Sequence, residues 1–407
     1  MATEMQAPTT PWAYDADNHL REDIDAYPKY MDPKFRERGW RIERDARGDD
    51  MLCVGDTSWP GWSYATATRP GSFRENLMRS RRGEDIDPFR GAQEPVRREY
   101  RDRDARIALM DEQKIEAELI FNTLAVSKPW MLEATDLPQT YANVRAVNRY
   151  LAAEWGWAYQ ERIHAAALLA LDDLPLAIEE LDRLLAEGVR AVNLVPGPVG
   201  RLSPADPHFD PFWARINEAK ILVTYHTTPA SHVAYRELYD GWWEPPDASV
   251  HRGVSDTDSA FMGFQMFNER PIMDTVAALV LHNLFGRFPD VKVLSVENGT
   301  FWVPYTVKLL NKNYAINQQG FWLGGKPRRP SEVFKQHVFV TPFHEENIQT
   351  VVDAVGPDCV LFGSDFPHAE GLADPVDDYL GDLEVTDETA IRKIMRENLK
   401  SLLDAAR

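Results

Sequence analysis

The sequence Asp15-Ala16-Asp17-Asn18-His19 ends the first strand-like segment of the chain, which begins with apolar residues at Trp12. Asp17 and His19 are two positions apart, so on a β-strand both side chains lie on the same face. A carboxylate and an imidazole on one face can bind a divalent metal. The same pair also occurs in polar loops, so the prediction of a metal site depends on the ends of the later strands.

Seven further strand-like segments follow, and helical patterns separate most of them. Eight strands that alternate with helices predict a parallel (β/α)8 barrel of the TIM type. A doubly wound open sheet is the alternative, but neither a glycine-rich dinucleotide fingerprint nor a GxxxxGK(S/T) phosphate loop follows any strand. We therefore expect residues 1–407 to form a single barrel domain. The later strands are predicted at residues 117–121, 163–171, 189–195, 221–225, 291–296, 337–340 and 359–363.

Two long segments interrupt this alternation, residues 20–102 after strand one and residues 227–270 after strand five. The first is predicted to be irregular, and the second is strongly aromatic. Long segments of this kind usually carry function, so they are predicted to form a lid over the barrel mouth or a dimer interface. Trp59, Arg69 and Trp243 could wall a pocket for a small organic acid, or could pack between subunits, where Trp and Arg are enriched.

Ionisable residues stand at the ends of four predicted strands. The carboxyl ends of barrel strands converge on one face, so these side chains are predicted to share a cavity. Each also has a structural alternative, as a core histidine bound to a carbonyl, a turn residue or a cap. Their coincidence at strand ends favours a divalent metal site. The five residues are Asp17, His19, His226, Glu297 and Asp365.

Composition restricts the class of protein. The formal net charge of −19 argues against non-specific nucleic-acid binding, which needs a basic face. No run reaches the ~18–20 apolar residues of a membrane span, and no secretory signal is visible. Two cysteines, Cys53 and Cys359, fit a reducing compartment. We expect a cytoplasmic enzyme with a small-molecule substrate.

The sequence resembles the amidohydrolase superfamily, in particular the amidohydrolase-2 branch that includes aminocarboxymuconate semialdehyde decarboxylase and the resorcylate-type decarboxylases. The resemblance spans nearly the whole chain. It implies a distorted TIM barrel that binds a divalent metal at its C-terminal mouth. The matching motifs are Asp15-Ala16-Asp17-Asn18-His19, Asp210-Pro211-Phe212-Trp213, Tyr225-His226, Phe288-Pro289-Asp290-Val291-Lys292-Val293, Glu297-Asn298-Gly299, Trp302-Val303-Pro304-Tyr305 and Leu361-Phe362-Gly363-Ser364-Asp365-Phe366-Pro367-His368.

The chain departs from this family pattern in ways that bear on the metal. Asp17 replaces the first histidine of the common His-x-His motif, which favours Mn or Fe over Zn. Glu297 stands where the semialdehyde decarboxylase has a histidine base. Strand four ends in Asn193, a candidate substrate contact, so a carbamylated lysine cannot bridge two ions. One ion is therefore favoured, and a second would need Glu297 with another donor such as His344, whose alternative role is to start a helix.

The resemblance implies hydrolysis or non-oxidative decarboxylation of a small organic acid or amide. In hydrolysis, Asp365 would bind metal and accept a proton from water, with help from Glu297 or His344. In decarboxylation, the metal would chelate the substrate carboxylate and a neighbouring hydroxyl. The alternative is a dinuclear Fe/Mn oxygenase resembling 2-aminoisobutyrate hydroxylase, or a partner subunit of such an enzyme. We expect a homodimer or a higher oligomer, with a hetero-oligomer that includes a paralogue as the alternative.

Overall fold

The computed structural model describes residues 12–45, 48, 50–60, 65–85, 93–125, 136–228, 264 and 269–406. Its main sheet has seven parallel strands in the order β1-β7-β8-β9-β10-β11-β12. These strands are β1 (Ala13–Leu20), β7 (Ile115–Asn122), β8 (Ile163–Leu168), β9 (Ala191–Leu194), β10 (Leu222–His226), β11 (Lys292–Val296) and β12 (Val338–Val340).

Helices lie between most of these strands, as the alternating sequence pattern predicted. Short 3-10 turns and the two π-helical turns Leu151–Trp155 and Lys393–Glu397 extend several of them. Among the described residues the α-helices are α1 (Tyr27–Tyr30), α2 (Arg74–Arg82), α3 (Arg103–Glu112), α4 (Leu137–Tyr150), α5 (Leu174–Ala186), α6 (Asp210–Ala219), α7 (Arg270–Leu281), α8 (Leu284–Arg287), α9 (Trp302–Ile316), α10 (Pro330–His337), α11 (Ile348–Val355), α12 (Pro375–Asp382), α13 (Glu388–Arg392) and α14 (Asn398–Ala405).

The strands of the main sheet are buried on both faces. Every residue of β1, β8, β9 and β10 is buried. Strands with helices on one face and a core on the other are rich in apolar residues, as β8, β9 and β10 are. The spatial order of the strands follows their order in the sequence, which confirms the prediction of an α/β fold with a parallel sheet.

The predicted eighth strand is not a regular strand. Leu361 N–H donates to the Val340 carbonyl at 2.9 Å, and Ala16 N–H donates to the Phe362 carbonyl at 2.9 Å. His19 N–H continues this contact by donating to the Phe366 carbonyl at 2.7 Å. Residues 360–366 thus bond to both edge strands of the sheet, β12 and β1. This arrangement is consistent with a TIM-like barrel.

Side chains from the strands form an apolar cluster together with α14. Successive residues of a strand point to opposite faces, and Ala117, Leu119 and Phe121 of β7 all lie in this cluster. Leu399 and Leu403 of α14 pack against it. Tyr14, near the amino end of β1, belongs to the same cluster. A larger apolar cluster packs other strand residues, such as Ile120 of β7, against helix residues such as Val147 of α4, so the sheet has a core on each face.

The segment between β1 and α3 contains two small antiparallel sheets, so the prediction that residues 20–102 are irregular is wrong. One sheet has three strands and the other has two, and all five are only three to five residues long. They are β2 (Arg41–Arg44), β3 (Asp50–Val54), β4 (Thr57–Pro60), β5 (Thr66–Thr68) and β6 (Gln93–Pro95).

The same segment touches the loop that follows residues 360–366. Gly71 N–H donates to the His368 carbonyl at 3.2 Å, and Phe73 N–H donates to the Ala369 carbonyl at 2.9 Å. Gly71 has a φ of +67°, and a Cβ there would lie 2.9 Å from the Ala373 nitrogen, so a side chain would not fit. The predicted role of these residues as a lid stays a prediction.

Most of the second predicted insertion, residues 227–270, lies outside the described residues. None of the helices that the structure describes is long and apolar enough to cross a membrane.

Candidate metal centre

The carboxyl ends of β1 and β10 place one carboxylate and two imidazoles together. Asp17, His19 and His226 are all buried. Nε2 of His226 lies 3.1 Å from Nε2 of His19, and both nitrogens lie 3.4 Å from Oδ1 of Asp17. Two residues of the first strand and one of a distant strand therefore meet, as we expected from their positions at strand ends.

Glu297 and Asp365 add two carboxylates to the same place. Oε2 of Glu297 lies 3.1 Å from Nε2 of His226, and Oδ1 of Asp365 lies 3.5 Å from Nε2 of His19. Both residues have a left-handed backbone, with φ of 53° and 52°. That conformation is uncommon outside glycine and is found preferentially at functional sites.

His368 also belongs to the cluster, although the sequence analysis did not predict it as a ligand. Its Nδ1 lies 2.6 Å from Oδ1 of Asp365, and its ring lies over His19 with centroids 4.0 Å apart. In the sequence, His368 is the last residue of the motif that ends Asp365-Phe366-Pro367-His368. Only Asp365 of this motif was predicted to bind metal.

The donor atoms form two overlapping groups, and within each group all atoms lie within 4.8 Å of one another. The two groups share His19 and Glu297. The first group is Asp17, His19, His226 and Glu297, and the second is His19, Glu297, Asp365 and His368.

His344 lies in neither group. Its Nε2 lies 3.1 Å from the carbonyl oxygen of Glu370, and its Nδ1 lies 3.7 Å from Oδ2 of Asp382. His344 is buried, and these two contacts, with Glu370 in the loop before α12 and with Asp382 of α12, occupy its ring. The histidine that stands beside Asp365 is His368.

Of the four predicted substrate-binding residues, the structure describes the side chains of Asn193 and Arg69. Asn193 is buried, and its Oδ1 accepts from the Thr224 hydroxyl at 2.9 Å and from His226 N–H at 3.1 Å. It therefore supports the strand end that carries His226. Arg69 is exposed after β5, the Trp59 side chain is not described, and Trp243 lies outside the described residues, so the predictions for these three stay predictions.

The cluster fits a divalent cation. Oδ1 of Asp17 and Oδ1 of Asp365 are buried, and neither has a partner with in-line hydrogen-bond geometry among the residues that the structure describes. An unsatisfied buried carboxylate oxygen is costly, and a cation would satisfy both. Three carboxylates with three imidazoles form a mixed O/N donor set of the kind that Mn, Fe and Zn accept.

The orientation of His226 supports the same conclusion. Its Nδ1 lies 2.7 Å from the carbonyl oxygen of Thr227, which can only accept a hydrogen bond. Nδ1 therefore carries the proton, and Nε2 presents its lone pair to Asp17 and Glu297. Ligand histidines are commonly fixed in this way by a carbonyl on the far side of the ring.

The electrostatics of the centre are dominated by crowded carboxylates. Burial, followed by the charges of Asp365 and Asp17, raises the pKa of Glu297 well above its ordinary value. Burial also raises the pKa of Asp365 well above its ordinary value, with repulsion from Glu370 and Asp17 adding to the effect. Burial and the neighbouring His368 lower the pKa of His19 to about 3, so its ring is neutral. A neutral imidazole among carboxylates is ready to bind a cation.

Asp15 connects the two strand ends beneath the centre. Its carboxylate accepts from Asp17 N–H, from Ser364 N–H and from the Asn18 side-chain amide, each at 3.0 Å. It also accepts from the Ser364 hydroxyl at 2.5 Å. Burial raises the pKa of Asp15 to about 7. Asp365 N–H in turn donates to the Asp17 carbonyl at 2.8 Å.

Arg106 of α3 holds the end of β1 from the outer side. This fully buried guanidinium donates to the His19 carbonyl at 2.6 Å and to the Glu99 carbonyl at 2.9 Å, and it also donates to Oδ1 of Asn18. Glu118 of β7 is equally buried, with Oε1 3.8 Å from Arg106 Nη1. The Asn18 side chain joins this contact to the Asp15 network, and together they fix the backbone that carries Asp17 and His19.

Several solved structures are similar to this one. An amidohydrolase from Mycobacterium avium subsp. paratuberculosis is 32% identical, with a TM-score of 0.81, and the match covers 96% of this chain and 99% of that one. A dihydroxybenzoic acid decarboxylase from Polaromonas, solved with manganese and 2-nitroresorcinol, is 18% identical with a TM-score of 0.55 over 97% and 98% of the two chains.

A 5-carboxyvanillate decarboxylase from Novosphingobium aromaticivorans, solved with manganese and a nitrobenzoic acid, is 15% identical with a TM-score of 0.58 over 97% of each chain. At these lower identities the two decarboxylases show only that the fold is similar.

A search of curated proteins finds no match. The sequence matches the amidohydrolase family Amidohydro_2 over residues 15–403. The chain therefore belongs to the Amidohydro_2 family of amidohydrolases.

Proposed function

We propose that this protein is a manganese-dependent enzyme that removes carbon dioxide, without oxidation, from a small hydroxylated aromatic acid. The observation that carries the proposal is the cluster of three carboxylates and three imidazoles at the strand ends, of which four residues are buried and Glu297 and His368 are partly buried. Support comes from the manganese-containing decarboxylases of dihydroxybenzoate and carboxyvanillate that share its fold.

The proposal includes the architecture around the centre. The seven strands and residues 360–366 would form a closed (β/α)8 barrel within one domain. Residues 20–102 and 227–270 would be insertions at its mouth. The expectations of a cytoplasmic location and of a homodimer or higher oligomer stay predictions.

Asp17, His19, His226 and Asp365 would hold the cation. When bound, the cation would supply the positive charge that holds the substrate carboxylate and the neighbouring hydroxyl by chelation. The buried Asp15 and Arg106 keep these ligands in place through the bonds that they make to β1 and to Ser364.

Glu297 would act as the general acid. Burial and the neighbouring charges of Asp365 and Asp17 raise its pKa, which favours the protonated form that can donate a proton. The bond between the ring carbon and the carboxyl carbon breaks, its electron pair stays on the ring carbon, and that carbon takes the proton from Glu297. Carbon dioxide leaves, and water returns a proton to Glu297.

Phe121 supports an aromatic substrate. Its ring centroid lies 4.8 Å from that of His226 and 6.0 Å from that of His19, at the end of β7. This buried ring gives the centre an apolar wall beside its polar donors. Sites for small ligands typically combine such a wall with a few converging polar groups.

Hydrolysis of an amide or lactone is the second candidate function. Oδ1 of Asp365 is a buried acceptor that touches both His19 and His368, and a carboxylate there could accept the proton of an attacking water. The 32% identical relative is an amidohydrolase. The comparisons give no support to the oxygenase alternative.

The test is to purify the full chain without chelators, load it with MnCl2, and measure release of carbon dioxide from a panel of mono- and dihydroxybenzoates. We expect release from at least one hydroxybenzoate and its abolition by metal removal. A parallel panel of amides and lactones tests hydrolysis. A manganese-loaded protein that hydrolyses the second panel and leaves the first unchanged would contradict the decarboxylase proposal.

A further inference from the structure

We infer that His344, Asp382 and Arg74 are positioning residues that act as one chain to hold residues 366–373, the His368 loop, beside Asp365. The inference deepens the proposed function and rests on it for the role of Asp365. His344 lies outside both donor groups, so it would act through the loop.

The His368 loop packs directly against the backbone of Asp365. A Cβ at Gly371 would lie 2.4 Å from the Asp365 carbonyl oxygen, so not even a methyl group would fit there. His368 N–H donates to the same carbonyl at 2.9 Å. Leu372 N–H donates to the Ser364 carbonyl at 3.0 Å. A shift of the loop would therefore move Asp365 as well as His368.

Two carbonyls of the loop are held by the first insertion. Gly71 N–H donates to the His368 carbonyl and Phe73 N–H to the Ala369 carbonyl. These donors stand immediately before α2, whose first residue is Arg74. The position of α2 therefore decides where this part of the loop lies.

The next carbonyl of the loop is held by His344. Nε2 of this buried ring lies 3.1 Å from the carbonyl oxygen of Glu370. A carbonyl oxygen only accepts hydrogen bonds, so Nε2 carries the hydrogen and donates it. Three successive carbonyls of the His368 loop thus each accept a hydrogen bond from outside the loop.

Asp382, the last residue of α12, joins these two attachments. Nη2 of Arg74 donates to Oδ1 of Asp382 at 2.9 Å and to Oδ2 at 2.8 Å. Oδ2 also lies 3.7 Å from Nδ1 of His344. One carboxylate therefore lies between the guanidinium of α2 and the imidazole that holds Glu370, so a displacement at either end is felt at the other.

The expected effect is local. The side chains of Arg74 and Asp382 are 27% and 11% exposed. Ion pairs that water reaches contribute little to global stability, because solvent screens them and ordering long side chains costs entropy. Loops open separately from the global unfolding of a chain. Loss of the pair should therefore free the His368 loop and leave the remaining fold intact.

The first experiment is amide hydrogen exchange, measured by mass spectrometry on the full chain without metal. The reporters are the N–H groups of His368 and Leu372. Asp382→Ala should speed their exchange by about 10-fold, as expected when about one hydrogen bond is lost. Asp377→Ala is the matched control. It removes an exposed carboxylate of the same helix, paired with Lys114, and should leave this exchange unchanged.

Variants of His344 test whether the two ends are coupled. His344→Leu removes the donor to Glu370 and should speed exchange both in the His368 loop and at Phe73 N–H. His344→Gln places an N–H group near the same point and should stay close to the natural chain. The effects of His344→Leu and Arg74→Met should be non-additive, because both act through Asp382.

Equilibrium dialysis against MnCl2 supplies a second measurement. Asp382→Ala and His344→Leu should bind Mn about 10-fold or more weakly than Asp377→Ala, in the range for groups that support metal ligands. Their melting temperatures should match that of the control. Unchanged Mn affinity in a variant with a freed loop would overturn the inference, because the loop would then not position Asp365.

Equal exchange in Asp382→Ala and Asp377→Ala would also overturn the inference, as would faster exchange spread over the whole chain. Failure of the proposed function has a different result. If the natural chain releases no carbon dioxide from any hydroxybenzoate while these variants show the expected exchange and Mn affinity, the decarboxylase is rejected and the positioning role stands.

Discussion

Asp15 and Ser364 are hydrogen-bonded through both the backbone N–H and the hydroxyl of Ser364, although the two residues are 349 positions apart. The contact lies directly beneath the candidate metal ligands. Asp17 follows Asp15 by two positions, and Asp365 follows Ser364 directly. The spacing of the two candidate ligand carboxylates therefore depends on this buried contact together with the bond from Asp365 N–H to the Asp17 carbonyl.

Asp15→Asn should loosen this contact, because an NH2 group replaces an oxygen that faces donors. We expect the free energy of unfolding to fall by about 1–3 kcal/mol, the cost of a buried unsatisfied polar group, and Mn affinity to fall with it. Urea denaturation and equilibrium dialysis measure the two effects. Asp56→Asn, at an exposed carboxylate paired with Arg38, is the matched control and should change neither. Equal stability in the two variants would contradict the role given to Asp15.

Arg106→Met should be strongly destabilising. It removes the donors to the His19 and Glu99 carbonyls and leaves Glu118 buried without its ion-pair partner. Loss of one partner of a buried pair typically costs about 3–5 kcal/mol. Burial raises the pKa of Glu118 to about 7, so Glu118→Gln added to Arg106→Met should recover part of the loss at pH 8. Urea denaturation of both single variants and the double variant tests this, and purely additive losses would refute the coupling.

Glu346 should make stability depend on pH. It is buried, and it accepts from Thr300 N–H at 2.9 Å and from the Thr300 hydroxyl. Burial raises its pKa from 4.5 to about 8. The folded chain thus holds this proton more tightly than the unfolded chain, so stability is lost as pH rises from about 4.5 to about 8.

Glu346→Gln removes that dependence. Its free energy of unfolding, relative to the natural chain, should increase with pH by at most about 1.4 kcal/mol per unit between pH 5 and 8. Urea denaturation in saturating MnCl2 at four pH values measures the difference. A constant difference across this window would show that Glu346 is ionised in the folded chain.

Asn193→Ala should weaken metal binding. Its Oδ1 holds the Thr224 hydroxyl and the N–H of His226, so its loss frees the strand end that carries a ligand. We expect about a 10-fold or greater loss of Mn affinity, with KM for substrate unchanged once Mn is saturating. The prediction from sequence, a direct substrate contact, requires the opposite: a higher KM with unchanged Mn affinity. Asn193→Asp keeps the acceptor and should retain most of the affinity.

Glu297→Gln should abolish the proton donor while keeping the shape of the side chain. We expect release of carbon dioxide to fall by about 100-fold or more, the range for loss of a general acid, with at least one Mn per chain retained. Glu388→Gln, at an exposed position, is the control and should have unchanged turnover. Normal turnover in the Glu297 variant would show that another residue is the general acid.

The parts of this fold that sequence could predict are those with a regular period. The alternation of apolar strands and helices predicted the parallel sheet. The convergence of strand ends predicted that His19 lies near His226, although 207 positions separate them. The short strands of residues 20–102 carry no such period. Arg41–Arg44, for example, has three charged residues in four, and its strand exists because it pairs with Asp50–Val54.

His368 could not be found from periodicity, because its position depends on one local turn. Asp365 takes a φ of 52°, and His368 N–H donates back to the Asp365 carbonyl at 2.9 Å. The turn returns the imidazole to the carboxylate three residues earlier. His344 had the better sequence position, just past β12, but its ring contacts the Glu370 carbonyl and Asp382 instead.

The bond between Asp17 and Asp365 also affects how the protein is made. Ribosomes add about 5–20 residues per second, so roughly 20–70 s separate synthesis of the first strand from synthesis of Ser364 and Asp365. During that interval a nascent chain holds only part of the ligand set and lacks the backbone contact that spaces it. Capture of a cation by the full ligand set must therefore wait until Asp365 has been synthesised and has joined Asp17.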